Sequence, residues 1–185
     1  MICVEVINID IDLKSSRTNV LFICLLVILS EIYAQESTWR EMPYFLKGYE
    51  KQYKKSPKEA ALSWFQDARF GLFVHWGPAS LYGQGEWVMY NNRIPIKEYE
   101  QKAREFKGDK FNAQDYVNLA LDANMKYITF VIKHHDGFAL WDSKASDYNS
   151  VKYPSGRDFL KELSIACKKA GLGLFIYYSV GLDWH

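Results

Sequence analysis

The strongest constraint on this chain is a pair of near-continuous apolar runs, Tyr127–Lys133 (YITFVIK) and Leu172–Tyr178 (LGLFIYY). A strand covered on both faces reads this way, because neither side of its pleat meets water. Between the runs, Asp158–Ala170 has apolar residues at helical spacing: Phe159, Leu160, Leu163, Ala166 and Cys167, with Gly171 at the C′ position. Buried strands alternating with amphipathic helices define an α/β fold with a parallel sheet. The pattern extends upstream. Ser56-Pro57-Lys58-Glu59 carries the cap, first-position proline and third-position glutamate of a helix start. That helix is predicted to run to about Asp67 and to bury Ala60, Trp64 and Phe65. Phe70–His75 follows as a short buried strand closed by Gly77-Pro78. Leu81–Arg93 reads as a long Gly-rich loop and Ile96–Phe106 as a charged surface helix. Asn112 caps a further helix with Tyr116, Leu119, Ala120 and Ala123 on one face.

Composition narrows the functional classes. The 185 residues suit one domain, and a hydrophobic content of 49% with 24% charged residues is globular. Lys+Arg 23 against Asp+Glu 22 leaves a net charge of +1, without the cationic excess of a nucleic-acid binder. Three cysteines do not make a disulfide scaffold, and Cys167 reads as core. Aromatic residues make up 16% of the chain, a surplus that fills a core or lines a site that stacks flat apolar faces such as sugar rings.

The unbroken apolar run Val20–Leu29, preceded by Lys14 and Arg17 and followed by Ile32-Tyr33-Ala34, has the layout of a signal peptide. Ten helical residues reach only about 15 Å, too short to span a bilayer. Residues 1–34 are therefore expected to be an export signal cleaved near Ala34, with no membrane span left afterwards. Residues 35–56 are read as a polar lead-in.

In parallel α/β domains, function gathers at the carboxyl ends of the strands. Here those ends carry His75-Trp76-Gly77, His134-His135-Asp136-Gly137 and Tyr177-Tyr178-Ser179. Three histidines invite a metal, yet adjacent His134 and His135 in extended backbone would point to opposite faces. Glu86-Trp87, in the loop after the first strand, sets a carboxylate beside a large aromatic. Imidazoles, a carboxylate acceptor and aromatic faces together describe a sugar pocket. There is no serine nucleophile elbow, phosphate-cradling glycine loop or CxxC pair.

Arg69-Phe70-Gly71-Leu72-Phe73-Val74-His75-Trp76-Gly77, Gly85-Glu86-Trp87, Lys133-His134-His135-Asp136-Gly137-Phe138 and Tyr177-Tyr178-Ser179 with Leu182-Asp183-Trp184 carry a resemblance, in that order. Phe111-Asn112-Ala113 and Arg157-Asp158 join them. Together these blocks resemble the α-L-fucosidases of glycoside hydrolase family 29, over roughly Ser63 to His185. The resemblance implies a (β/α)8 TIM-like barrel and retaining hydrolysis of terminal α-L-fucose, with no metal or organic cofactor and a fucosylated glycan as substrate. It places His75, Glu86, Trp87, His134, His135 and Tyr177 against fucose. The three histidines would hydrogen-bond ring hydroxyls, and Glu86 would accept from another or serve as acid/base. Trp87 would form a wall, and Tyr177 would sit near the reacting centre.

A retaining glycosidase needs two carboxyl groups about 5–5.5 Å apart. The family pattern puts its nucleophilic aspartate and usual acid/base beyond His185, and an eight-stranded barrel takes about 250 residues. Residues 57–185 are therefore expected to form an incomplete catalytic barrel, inactive alone and poorly soluble because of the open strand Leu172–Tyr178. A non-catalytic fucose-binding protein and a metal-dependent hydrolase are the alternatives. Export implies a periplasmic or extracellular location in bacteria and a lysosomal or secreted one in animals; oligomerisation is left open.

Overall fold

The computed structural model describes residues 41–185. Residues 1–34, where an export signal is expected, lie outside the described residues with Cys3 and Cys24, as do residues 35–40 of the expected lead-in. What remains of the lead-in packs onto the domain. A 3₁₀ turn, Tyr44–Leu46, buries Leu46 against Trp64 and Ala68, and the Tyr44 hydroxyl donates to the Leu172 carbonyl at 2.8 Å. A short helix α1 (Glu50–Lys55) follows.

Helix α2 (Pro57–Ala68) starts as its sequence dictates. The Ser56 hydroxyl accepts from the Glu59 N–H, and Pro57 occupies the first turn, where its missing N–H costs nothing. Trp64 and Ala60 turn inward, but Phe65 does not: one residue is 100° of helix, so only one of the adjacent pair can face the core. Phe65 instead leans, half-exposed, on the rings of Tyr127 and Phe175.

Three parallel strands form the sheet in the order β1 (Leu72–Val74), β2 (Tyr127–Lys133), β3 (Gly173–Tyr178). The central strand is the run expected from sequence. The first is shorter and less buried than expected, with Phe73 exposed. Along β2, Ile128, Phe130 and Ile132 enter the main core, as alternate residues on one pleat face must. They meet Val117 and Ala120 of helix α5 (Ala113–Asp122) and Phe159, Leu163 and Cys167 of helix α6 (Phe159–Ala170). Leu119 was expected on that inner face but is exposed, because Val117 and Ala120, three residues apart, take it.

Side-chain caps set the helix ends. Asn112 accepts from the Gln114 N–H, and Asp158 from the Lys161 N–H at 2.8 Å. Gly171, at φ 74°, stops α6 in the left-handed conformation that a side chain resists. Between β1 and α5 the chain is more ordered than a loop. It contains a 3₁₀ turn (Pro78–Tyr82), a one-turn helix α3 (Val88–Asn91) and helix α4 (Ile96–Ala103). The charges of α4 cover only its outer face; Tyr99 and Ala103 are fully buried. No described helix is long and apolar enough to cross a membrane.

Candidate active site

The strand ends converge. β2 stops at Lys133 after a register irregularity between Val131 and Lys133, and the backbone then turns, the Gly137 N–H donating to the His134 carbonyl. His134 and His135 therefore leave extended geometry, and their ring centroids lie 4.1 Å apart on one rim. The expectation of opposite faces fails for that reason. Gly137 sits at φ 80°, where a Cβ would approach the His185 side chain to 2.7 Å, so the turn needs glycine twice over.

All six residues singled out from the sequence belong to this rim. From the end of β1, the His75 ring lies 5.4 Å from His134 and 6.5 Å from Tyr177, which comes from β3. Tyr177 stacks on His134 at 6.0 Å. The loop before α3 brings Trp87 to 5.1 Å from His135 and 6.5 Å from His134, edge-on to both. Glu86 completes the group, since ligand-type atoms of His75, Glu86 and His134 all lie within 4.8 Å of one another. A cavity of about 110 Å³ opens there, with His75, Glu86, His134 and Asp136 in its lining.

Burial, then the neighbouring His135 and His75, pull the His134 imidazole down to about 4, against the opposing pull of Glu86. The ring is neutral at neutral pH, with one N–H to give and one lone pair to receive. Its Nδ1 is buried without a hydrogen-bond partner. Asp136 is buried, and desolvation raises its carboxyl above the ordinary range, although the Tyr99 hydroxyl at 2.7 Å and the Phe138 N–H at 3.2 Å both donate to it. The Tyr99 bond ties helix α4 to the turn bearing the histidines, and the Phe138 bond closes that turn on itself.

Sequence reasoning gave no role to four supporting residues. The Trp184 ring packs 5.3 Å from both Trp87 and His135, and its backbone N–H donates to the His135 carbonyl at 2.7 Å. Ser179 is in contact with His135, and Asp136 and Tyr99 support the turn from below. Trp184, Ser179 and Asp136 stand inside the recognised blocks, which was the available signal. Tyr99 lies in a charged helical segment that gives none.

Chemically, the rim offers imidazoles, that of His134 neutral, with a carboxylate and indole edges around a small cavity, a set that exchanges hydrogen bonds with hydroxyl groups. His75, Glu86 and His134 are also close enough to hold a divalent metal of the His/carboxylate-binding kind.

Fold and site define a class: a parallel α/β domain whose strand ends carry a polar, aromatic-walled cavity. The alpha-L-fucosidase family model matches residues 40–185, and the chain belongs to that family. It is 30% identical over 177 residues to the tissue alpha-L-fucosidase of Macaca fascicularis, covering 86% of this chain and 37% of the relative. It is 32% identical over 154 residues to the plasma alpha-L-fucosidase of Rattus norvegicus, covering 74% and 33%. Among solved structures, an alpha-L-fucosidase of Lactobacillus casei in complex with alpha-L-fucose product matches at 40% identity and a TM-score of 0.63, over 66% of this chain and 42% of that one. Isoenzyme 1 of Paenibacillus thiaminolyticus matches at 38% and 0.67, over 70% and 31%. The chain thus spans about a third of the length of these curated relatives.

Proposed function

We propose that the chain forms the amino-terminal part of the (β/α)8 catalytic barrel of a retaining exo-α-L-fucosidase, residues 57–185 carrying the sugar-reading half of its site. The observation that carries this reading is the convergence of His75, Glu86 and His134 within 4.8 Å at the carboxyl ends of parallel strands. Three such groups can grip neighbouring hydroxyls on one face of a sugar ring. His75, His134 and His135 hydrogen-bond ring hydroxyls, and Glu86 accepts from another. Trp87 walls the pocket, and Tyr177, stacked on His134, borders the reacting centre. Cleavage with retention requires two carboxyl groups about 5–5.5 Å apart; the six residues bind and orient the sugar. In this reading residues 1–34 direct export, residues 35–56 lead into the barrel, and the partner is a fucosylated glycan.

The test is hydrolysis of an aryl α-L-fucoside by the protein carrying this chain, beside its H134A variant. Wild type turns over and H134A loses roughly a hundredfold or more in kcat/KM, the scale of removing one preorganised donor from a reacting site. An intact wild type without turnover sinks the enzyme reading; L-fucose binding without turnover would mark a non-catalytic sugar-binding protein. A second reading rests on the same cluster as a metal site. Activity lost to a chelator and restored by zinc would support it, whereas chelator-resistant turnover refutes it.

A further inference from the structure

The hydroxyl of Ser179 sits between two partners whose chemistry leaves it no choice. Ser179 is buried just past the end of β3, and its N–H donates to the Lys133 carbonyl at 3.0 Å, which fixes its place against β2. Its Oγ lies 2.5 Å from the Leu182 carbonyl oxygen and 2.7 Å from His135 Nδ1. A carbonyl oxygen can only accept, so the single hydroxyl proton is directed at Leu182. What Oγ then turns to His135 is a lone pair, and Nδ1 must carry the proton.

From this we infer that Ser179 is a positioning residue that locks His135 in the Nδ1–H tautomer and so commits its Nε2 to accept a hydrogen. Nε2 makes no hydrogen bond with any described residue, and it is not among the buried polar atoms left without a partner. The ring itself is held at 5.1 Å by Trp87, at 5.3 Å by Trp184 and at 4.1 Å by His134. A ring clamped in this way presents one lone pair in a fixed place. Resting on the proposed sugar site, the consequence is one of specificity. His135 selects a ligand with a hydroxyl donor at that point and rejects one that offers only an acceptor there, such as a deoxyfluoro analogue.

Ring-nitrogen NMR of the histidines tests the lock without requiring turnover. The protein has four histidines, so the His135 signals are assigned by their loss in an H135N variant. Wild type is expected to show a protonated Nδ1 and a bare Nε2. S179A is expected to lose that preference, and S179T to keep it. In parallel, the affinity for L-fucose should fall about twofold to tenfold in S179A, the worth of one hydrogen bond, and recover in S179T. A wild-type His135 protonated at Nε2 overturns the inference, and so does an S179A spectrum unchanged from wild type. The wild-type spectrum decides the tautomer whether or not either variant folds. If the tautomer is as stated but L-fucose does not bind wild type, the lock stands and the proposed sugar site fails.

Discussion

At the scale of single residues, the site is supported by groups that no ligand would touch. Tyr99 is the clearest example. Its ring stacks on Tyr82 at 5.6 Å, and its hydroxyl serves the buried Asp136 from a helix distant in sequence. Replacing it in Y99F keeps the ring and strands one carboxylate oxygen in a desolvated place. An unsatisfied buried acceptor costs about 1–3 kcal/mol, and more when charged. Urea unfolding should therefore show Y99F destabilised by at least about 1 kcal/mol, and an unchanged midpoint would show the bond to be idle. Of the six candidate residues, His75, His134, His135 and Tyr177 were legible as polar and aromatic groups at strand ends. Glu86 and Trp87 lie in the loop before α3 and were picked out by their pairing of carboxylate and indole and by the resemblance. Tyr99 was not legible, because a buried tyrosine in a lysine- and glutamate-rich helix has the composition of a surface. Nor was the shared rim of His134 and His135, which depends on where β2 stops pairing, a tertiary event that alternation along a strand does not record.

Elements tell a more orderly story. Of the helices flanking the central strand, α5 begins at the Asn112 cap its sequence announces, α6 begins one residue after Asp158, which caps the helix rather than opening it, and β2 occupies the apolar run residue for residue. Local chemistry decides those features, so a single sequence suffices to read them. Short elements behave differently. The one-turn helix α3 and the 3₁₀ turn before it lie in a stretch that reads largely as a glycine-rich loop, and there Ala79, Val88 and Met89 pack into a small core with the distant Tyr99. The Arg157-Asp158 block proves architectural in the described structure. Arg157 donates to both Glu162 carboxylate oxygens and to the carbonyls of Gly108 and Phe111, pinning the approach to α5 against the start of α6. Asp158 caps α6 and also accepts from the Asp142 N–H. D158A removes both bonds. Loss of a cap costs about 0.5–2 kcal/mol, so D158A should unfold at lower denaturant by that amount, whereas D158N, which keeps an acceptor, should recover most of it. Equal losses in the two variants would argue against the cap.

For the molecule as a whole, the site couples to stability through proton uptake. His134 titrates near 4 when folded and near 6.5 in the ordinary state. Between those values the unfolded chain takes up a proton that the folded one refuses. Its contribution is therefore neutral above about pH 6.5 and increasingly destabilising as pH falls toward 4. Measured as the difference between wild type and H134Q in denaturant midpoint, wild type should lose more stability than the variant between roughly pH 7 and pH 4. Parallel curves would mean that the ring is not held neutral. Asp136 works in the opposite direction: a buried carboxyl held above its usual range makes the fold relatively less stable as pH rises past the ordinary carboxylate value. Through that window the two contributions have opposite slopes and partly offset each other, so the H134Q comparison is needed to isolate the imidazole.

Cys167 supplies a different kind of handle. It lies in the last turn of α6, fully buried in the core that β2 shares, and burial pushes its thiol up to about 11. Both conditions suppress the thiolate on which alkylation depends. Modification of that sulfur therefore requires α6 to lift from the sheet, and its rate gives a clock for the opening of this one layer. The sulfur reports on the helix that backs the site while standing apart from every residue that would meet a sugar.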